Sequence, residues 1–242
     1  MAIDPSPSPD TAAGSDWGLG GVPVLSLSKA AGSAVAIVLV AAGAISLAAP
    51  VVGAALGVAG VAALALWLGT RGRALLRDSG GRALGAEESP RFDHLTGGLA
   101  AGLGIDKPRL WIVPEGGPNA FVAWRGGGHL GVSRALLEGY TRTELEAVLA
   151  HCLVRIRSGE ARATTFALGL GPLARSPFVR GGARVGGALD VAAAATTRYP
   201  PALASAVAKA EPRRGRFAAS WFVAEDPAHV PPAVRVAFLE DL

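Results

Sequence analysis

The chain has 242 residues and a net charge of +4; 50% of its residues are apolar and only 17% are charged. Soluble domains carry about a quarter charged residues, so the chain is too apolar for an ordinary soluble protein and far too apolar for a disordered one. Its single cysteine, Cys152, excludes a disulfide framework, and the small charge with 6% aromatics offers little to grip nucleic acid.

Residues 1–30 carry Pro5, Pro7, Pro9, Ser6, Ser8, Asp4, Asp10 and Asp16, the composition of a disordered tail. From Ala31 to Gly69 no residue is charged, over 39 positions. As one helix that run would extend about 58 Å, whereas a bilayer core is about 30 Å thick. Pro50 divides it. The expected arrangement is therefore a transmembrane helical hairpin, Ala31–Ala49 and Val51–Gly69, turning at Pro50. A buried hairpin in a soluble protein would show an amphipathic period, and this run is apolar on every face. A signal peptide would need a basic n-region, which is lacking here.

Lys29 precedes the hairpin, and Arg71, Arg73, Arg77 and Arg82 follow it, so both ends are expected on the cytoplasmic side of the cell membrane. The tail is net −2 and the hairpin neutral, which leaves +6 on residues 70–242 against the chain's +4. A mildly basic domain beside an anionic leaflet accounts for the basic pI. The bilayer is thus the expected partner, and no nucleic acid is.

A Gly-rich linker, 70–89, leads to a domain over 90–242. Pro90 opens a helix to about Leu103, with Phe92, Leu95, Leu99 and Leu103 at helical spacing. Pro108–Val113, Phe121–Trp124 and His129–Ser133 read as strands of a small antiparallel sheet, joined by Gly-rich turns. A short helix is predicted over 134–140. Thr141-Arg-Thr-Glu144 is a capping-box pattern. After it, Leu145, Val148, Leu149, Cys152, Leu153 and Ile156 form a helical apolar stripe through 142–158, with His151 and Arg155 on its flank. Further helices are predicted near 160–172, 184–196 and 200–211. His229 lies in a Pro-rich stretch expected to be solvated.

Several of these segments together resemble the HtpX-like and CAAX-prenyl-protease family of membrane zinc metallopeptidases. Pro90–Leu110 is similar to the start of that family's peptidase domain, and Pro118-Asn-Ala-Phe121 to its Asn-Ala-Phe motif. Gly131–Leu137 is similar to its edge strand and the following turn, and Glu144–His151 to the run into its zinc helix. Asp190, Thr197–Leu203, Trp221-Phe222 and Pro231–Arg235 are similar to its later segments. The resemblance implies an α+β, mostly helical chain: a two-helix transmembrane hairpin followed by a zincin-like peptidase domain.

The chemistry departs from the family's pattern. The family's His-Glu-x-x-His is His151-Cys-Leu-Val-Arg155 here. Cys152 stands for the general-base Glu and Arg155 for the second His ligand. Gly186 stands for the Glu ligand placed four residues before Asp190. His151 is then a vestigial ligand, with Glu160 and Asp190 as supporting acids. A hydrolytic zinc needs about three protein ligands plus water, and a guanidinium has no lone pair to give. Neighbouring positions on a helix point about 100° apart, so Cys152 cannot stand in beside His151. No metal is therefore expected, although zinc belongs to the family. Arg155 is expected to fill the vacated position with its charge, pairing with Glu160 or Asp190.

The expected function is a membrane-anchored pseudopeptidase that binds a polypeptide or membrane-protein client along its edge strand, through Asn119, Phe121, Val132 and Ser133. Two alternatives stand beside it. One is an active zinc metalloendopeptidase recruiting His94 or His129. The other is a membrane protein of unrelated fold.

Overall fold

The computed structural model describes residues 50–85, 87–170, 187–215, 217–226 and 229–242. The expected first hairpin arm, Ala31–Ala49, lies outside them. The second arm falls within α1, Pro50–Asp78, whose N-terminal proline sits where a helix has no use for its N–H. The helix does not stop at Gly69 as expected but continues for more than two turns. Those last turns carry Leu75 and Leu76 into a core shared with Val113, Phe121 and Trp221. Ahead of them, Val52, Leu56, Val58 and Leu66 are exposed, Val58 at 72% and Leu66 at 73%. Among the described residues, no helix is long and apolar enough to cross a membrane.

After a two-residue strand β1, Arg82–Ala83, comes α2, Pro90–Gly102, which buries Phe92, Leu95, Thr96 and Ala100. Strands β2 (Arg109–Val113), β3 (Ala120–Trp124) and β4 (Gly128–Ser133) complete a four-stranded sheet in the order β1-β2-β4-β3. Two expectations are corrected here. The sheet is mixed, because β2 and β4 run parallel, Leu110 beside Leu130 and Ile112 beside Val132. And β4 is not an edge strand: the β3–β4 hairpin folds back so that β4 takes the central place and β3 the rim. Gly131 in β4 lets this happen. A Cβ there would lie 2.0 Å from the Phe121 ring, which crosses the strand at that point.

A short helix α3, Arg134–Gly139, leads into α4, Arg142–Arg157. The Thr141 capping box forms as read, with Thr141 Oγ1 accepting from the Glu144 amide and the Glu144 carboxylate accepting from the Thr141 amide. The helix is buried on all faces from Ala147 to Ile156, not along one stripe. The reason is its central place. It packs against α2, the sheet, α5 (Glu160–Leu170), α6 (Ala188–Thr197) and α7 (Pro200–Lys209). A 3-10 turn, Ala218–Ser220, packs against α5 and β3, and a last helix α8, Pro232–Glu240, closes the chain over α6 and α7. The sequence reading contained neither α8 nor β1.

Candidate functional site

The site is built around the middle of α4. His151 is fully buried, and its Nδ1 lies 3.0 Å from Asp190 Oδ1 on α6, off the line of a well-formed hydrogen bond. Its Nε2 is buried without a protein partner. Burial pushes the imidazole below its ordinary range; Asp190 opposes that shift without overcoming it, while Arg235 and Arg155 add to it. Asp190 is gripped from the other side by Arg235 of α8, through Nε at 2.8 Å and Nη2 at 2.7 Å. Burial alone would raise this carboxyl, but the charge of Arg235 together with His151 holds it well below the usual carboxylate range.

One helical turn beyond His151, Arg155 is equally buried. Its guanidinium forks onto Glu160 of α5, Nε to Oε2 at 2.5 Å and Nη2 to Oε1 at 3.1 Å. The remaining N–H groups go to main-chain carbonyls: Nη1 to Ser220 at 3.3 Å and Trp221 at 3.0 Å, Nη2 to Ala219 at 2.9 Å. All five guanidinium donors are thus engaged. Thr164 Oγ1 also donates to Glu160. Cys152 is buried, and burial pushes its thiol up to about 12, which keeps it protonated and inert as a nucleophile.

His229, expected in solvent, is buried. Its Nε2 lies 3.2 Å from the Ala219 carbonyl and its Nδ1 has no partner. Burial and the charge of Arg155 lower it to about 3. His229 and Arg235 are the site residues that sequence reasoning missed. The signal available for Arg235 was its place in a terminal segment, Pro231–Arg235, that already resembled a peptidase family.

The proposed partner-binding residues come together, but as joinery. Asn119, Phe121, Val132 and Ser133 are all buried. Asn119 Nδ2 donates to the carbonyls of Glu211 (2.6 Å) and Val223 (2.8 Å), and Ser133 Oγ accepts from the amides of Asn119 (3.0 Å) and Leu136 (3.2 Å). The Phe121 ring packs against Trp221. Gly186 lies outside the described residues.

The donor set does not fit a zinc ion. His151 Nε2 is one bare lone pair and His229 Nδ1 a second, while the i+4 position is a cation already saturated with acceptors. Among the described residues, no group of three His, Cys, Asp or Glu gathers in metal-binding range. Residues 171–186 contain none of these four residue types, so that stretch brings no further side-chain ligand of the kind. Two buried guanidinium charges beside the imidazole would also oppose a dication.

An α+β domain whose capped central helix carries a histidine one turn before a second site residue, beside a small sheet, has the organisation of a peptidase domain. The family model described as "Peptidase family M48" matches residues 86–206, and the chain belongs to that family. Among curated proteins it is similar to the "Protease HtpX homolog" of Aquifex aeolicus, 37% identical over 90 residues, covering 36% of this chain and 30% of that relative. The protein of the same name from Pyrococcus abyssi is 38% identical over 88 residues, again 36% of this chain and 30% of the relative. That from Halobacterium salinarum is 37% identical over 97 residues, 40% and 33% respectively. The matched stretch therefore spans about a third of these relatives. No solved structure matches the chain.

Proposed function

We propose that this chain is a zinc-free, catalytically silent member of family M48, tethered to the membrane through residues 31–69, with its peptidase body kept as a scaffold for a polypeptide or membrane-protein client. One observation carries the silent part. The residue one turn after His151 is Arg155, whose five N–H groups are spent on Glu160 and three main-chain carbonyls. Without a bound metal nothing lowers the pKa of an attacking water, and without a glutamate after His151 nothing takes its proton. The residues do work of another kind. Arg155–Glu160 and Arg235–Asp190 tie α4, α5, α6, α8 and the 219–222 segment to one another. That is the cross-linking role a structural ion serves elsewhere.

The alternative, an active enzyme with recruited ligands, finds little support. His129 uses both ring nitrogens, Nδ1 accepting from Trp111 Nε1 at 2.9 Å and Nε2 lying 3.2 Å from the Arg125 carbonyl. His94 sits on the exposed face of α2.

The test is metal content and turnover together. Full-length protein purified in detergent, incubated with zinc and desalted, is expected to retain well under one zinc per chain, and to cleave neither casein nor a membrane-protein substrate with or without chelator. Stoichiometric zinc accompanied by chelator-sensitive cleavage would falsify the reading.

A further inference from the structure

The outer rim of β3 is where an extended polypeptide would add a strand to this sheet, since β3 is the outermost strand beside the site. The chain's own segment Ala219–Val223 already lies there. Phe121 and Trp221 form an antiparallel bridge, and the Phe222 amide donates to the Ala120 carbonyl at 2.7 Å. Farther along the same rim the Trp124 amide is taken by Thr165 Oγ1 of α5, at 3.0 Å.

What holds this segment is unusual. Four consecutive carbonyls, Ala219 to Phe222, accept from two buried arginines: the first three from Arg155, and Phe222 from Arg235 Nη1 at 2.7 Å. The next residue, Val223, exchanges bonds with the Asn119 side chain, its carbonyl accepting from Nδ2 at 2.8 Å and its amide donating to Oδ1 at 3.3 Å. Backbone pairing with β3 itself is thin, an isolated bridge rather than a ladder. Most of the segment's hydrogen bonds thus come from the Arg155, Arg235 and Asn119 side chains, beside the apolar burial of Trp221 and Phe222.

We propose that Ala219–Val223 is a built-in strap that occupies the β3 rim against an added strand, and that Arg155 is its latch. The replacement that removes a lone-pair donor from the motif helix thereby also supplies the donors that close the rim. A histidine at position 155 has at most two ring N–H groups and could not hold three carbonyls and a carboxylate together. A client strand then competes with the strap, and opening the strap governs access. Trp221 and Phe222 are buried, so opening is a rare event in the wild type. The inference rests on the proposed function only in taking the β3 rim as the place where a client would pair.

The test is amide hydrogen exchange, resolved by residue, on the full chain in detergent. In Arg155→Lys, which keeps one charge near Glu160 but has too few donors, the Phe222 and Val223 amides are expected to exchange at least tenfold faster. The Trp124 amide, held by Thr165, and the α4 amides from Leu149 to Leu153 should keep their wild-type rates. The idea is overturned if the strap amides stay as slow as before, or speed up only together with those of α4. Should the variant not fold, the wild type decides. In low denaturant its Phe222 and Val223 amides should exchange through an opening smaller than that of α4; exchange only through global unfolding removes the strap. Zinc content enters neither readout, so this result and the fate of the zinc-free reading are separate.

Discussion

Asp190 is the pivot of the site at the scale of single residues. It faces His151 on one side and Arg235 on the other, with no exposure to water. A buried carboxylate survives only when compensated, and here the compensation is a two-pronged arginine. His151 and His229 are kept neutral by the same surroundings, since both are buried near guanidinium charges. This fixes the sign of a pH effect. A histidine whose folded pKa is lowered binds its proton more readily when unfolded, so its contribution is complete above about pH 6.5 and is lost as the pH falls below that. For His229 the loss continues down to about pH 3. Asp190, also lowered, adds its own loss once the pH passes below the ordinary carboxylate range. The urea midpoint should therefore fall as the pH drops from about 6.5 to 5, the unfolding free energy losing up to about 1.4 kcal/mol per pH unit for each titrating histidine. A midpoint that is flat or rises over that interval contradicts the buried neutral histidines.

At the scale of elements, α4 decides the domain. Its start was readable because a capping box is a local chemical device: the Thr141 and Glu144 side chains satisfy amides only three residues away. Removing the cap with Thr141→Ala should cost about 1 kcal/mol. Truncating the helix interior with Leu149→Ala, at a fully buried position, should cost about 2–5 kcal/mol. Chemical denaturation of the two variants should rank them in that order, and a Leu149→Ala as mild as the cap variant would mean that α4 is not the centre of the core. The strands were legible as strands for similar local reasons, short apolar runs between glycine-rich turns. Their order was not. Nothing local tells that β4 lies between β2 and β3, because the parallel β2–β4 pairing joins segments separated by β3 and its two turns. The Gly131–Phe121 fit, which seats the rim strand, is likewise visible only once the two strands are opposite one another.

At the scale of the whole molecule, the two ends of α1 live in different surroundings. Its last turns are sealed against the sheet by Leu75 and Leu76, while Val52, Leu56, Val58 and Leu66 stand uncovered. Large apolar side chains left uncovered along the uncharged part of a helix mark contact with lipid or with another apolar segment. Together with the uncharged run that starts at Ala31, they support attachment to the bilayer. In membranes prepared from cells making the full chain, the protein should stay in the pellet through high salt and alkaline carbonate and be released by detergent. Release by carbonate alone would rule out the tether.

Local side-chain patterns specify the uncharged run, the capped central helix, the three longer strands, and the loss of the general base at Cys152 and of a lone-pair donor at Arg155. These are properties of side chains and of neighbours within a few residues, and spacing reports them. Spacing offered Glu160 or Asp190 as the partner of Arg155; the fold chose Glu160 and supplied the rest. Arg155 meets Glu160 five positions on, but also carbonyls some 65 positions away, and Asp190 meets Arg235 across 45 positions. Those partners are brought together by helix packing, not by spacing, and buried charges must find partners wherever the packing puts them. For that reason His229 and Arg235 could be seen as part of the site, and β3 as a rim already covered, only after the chain had folded.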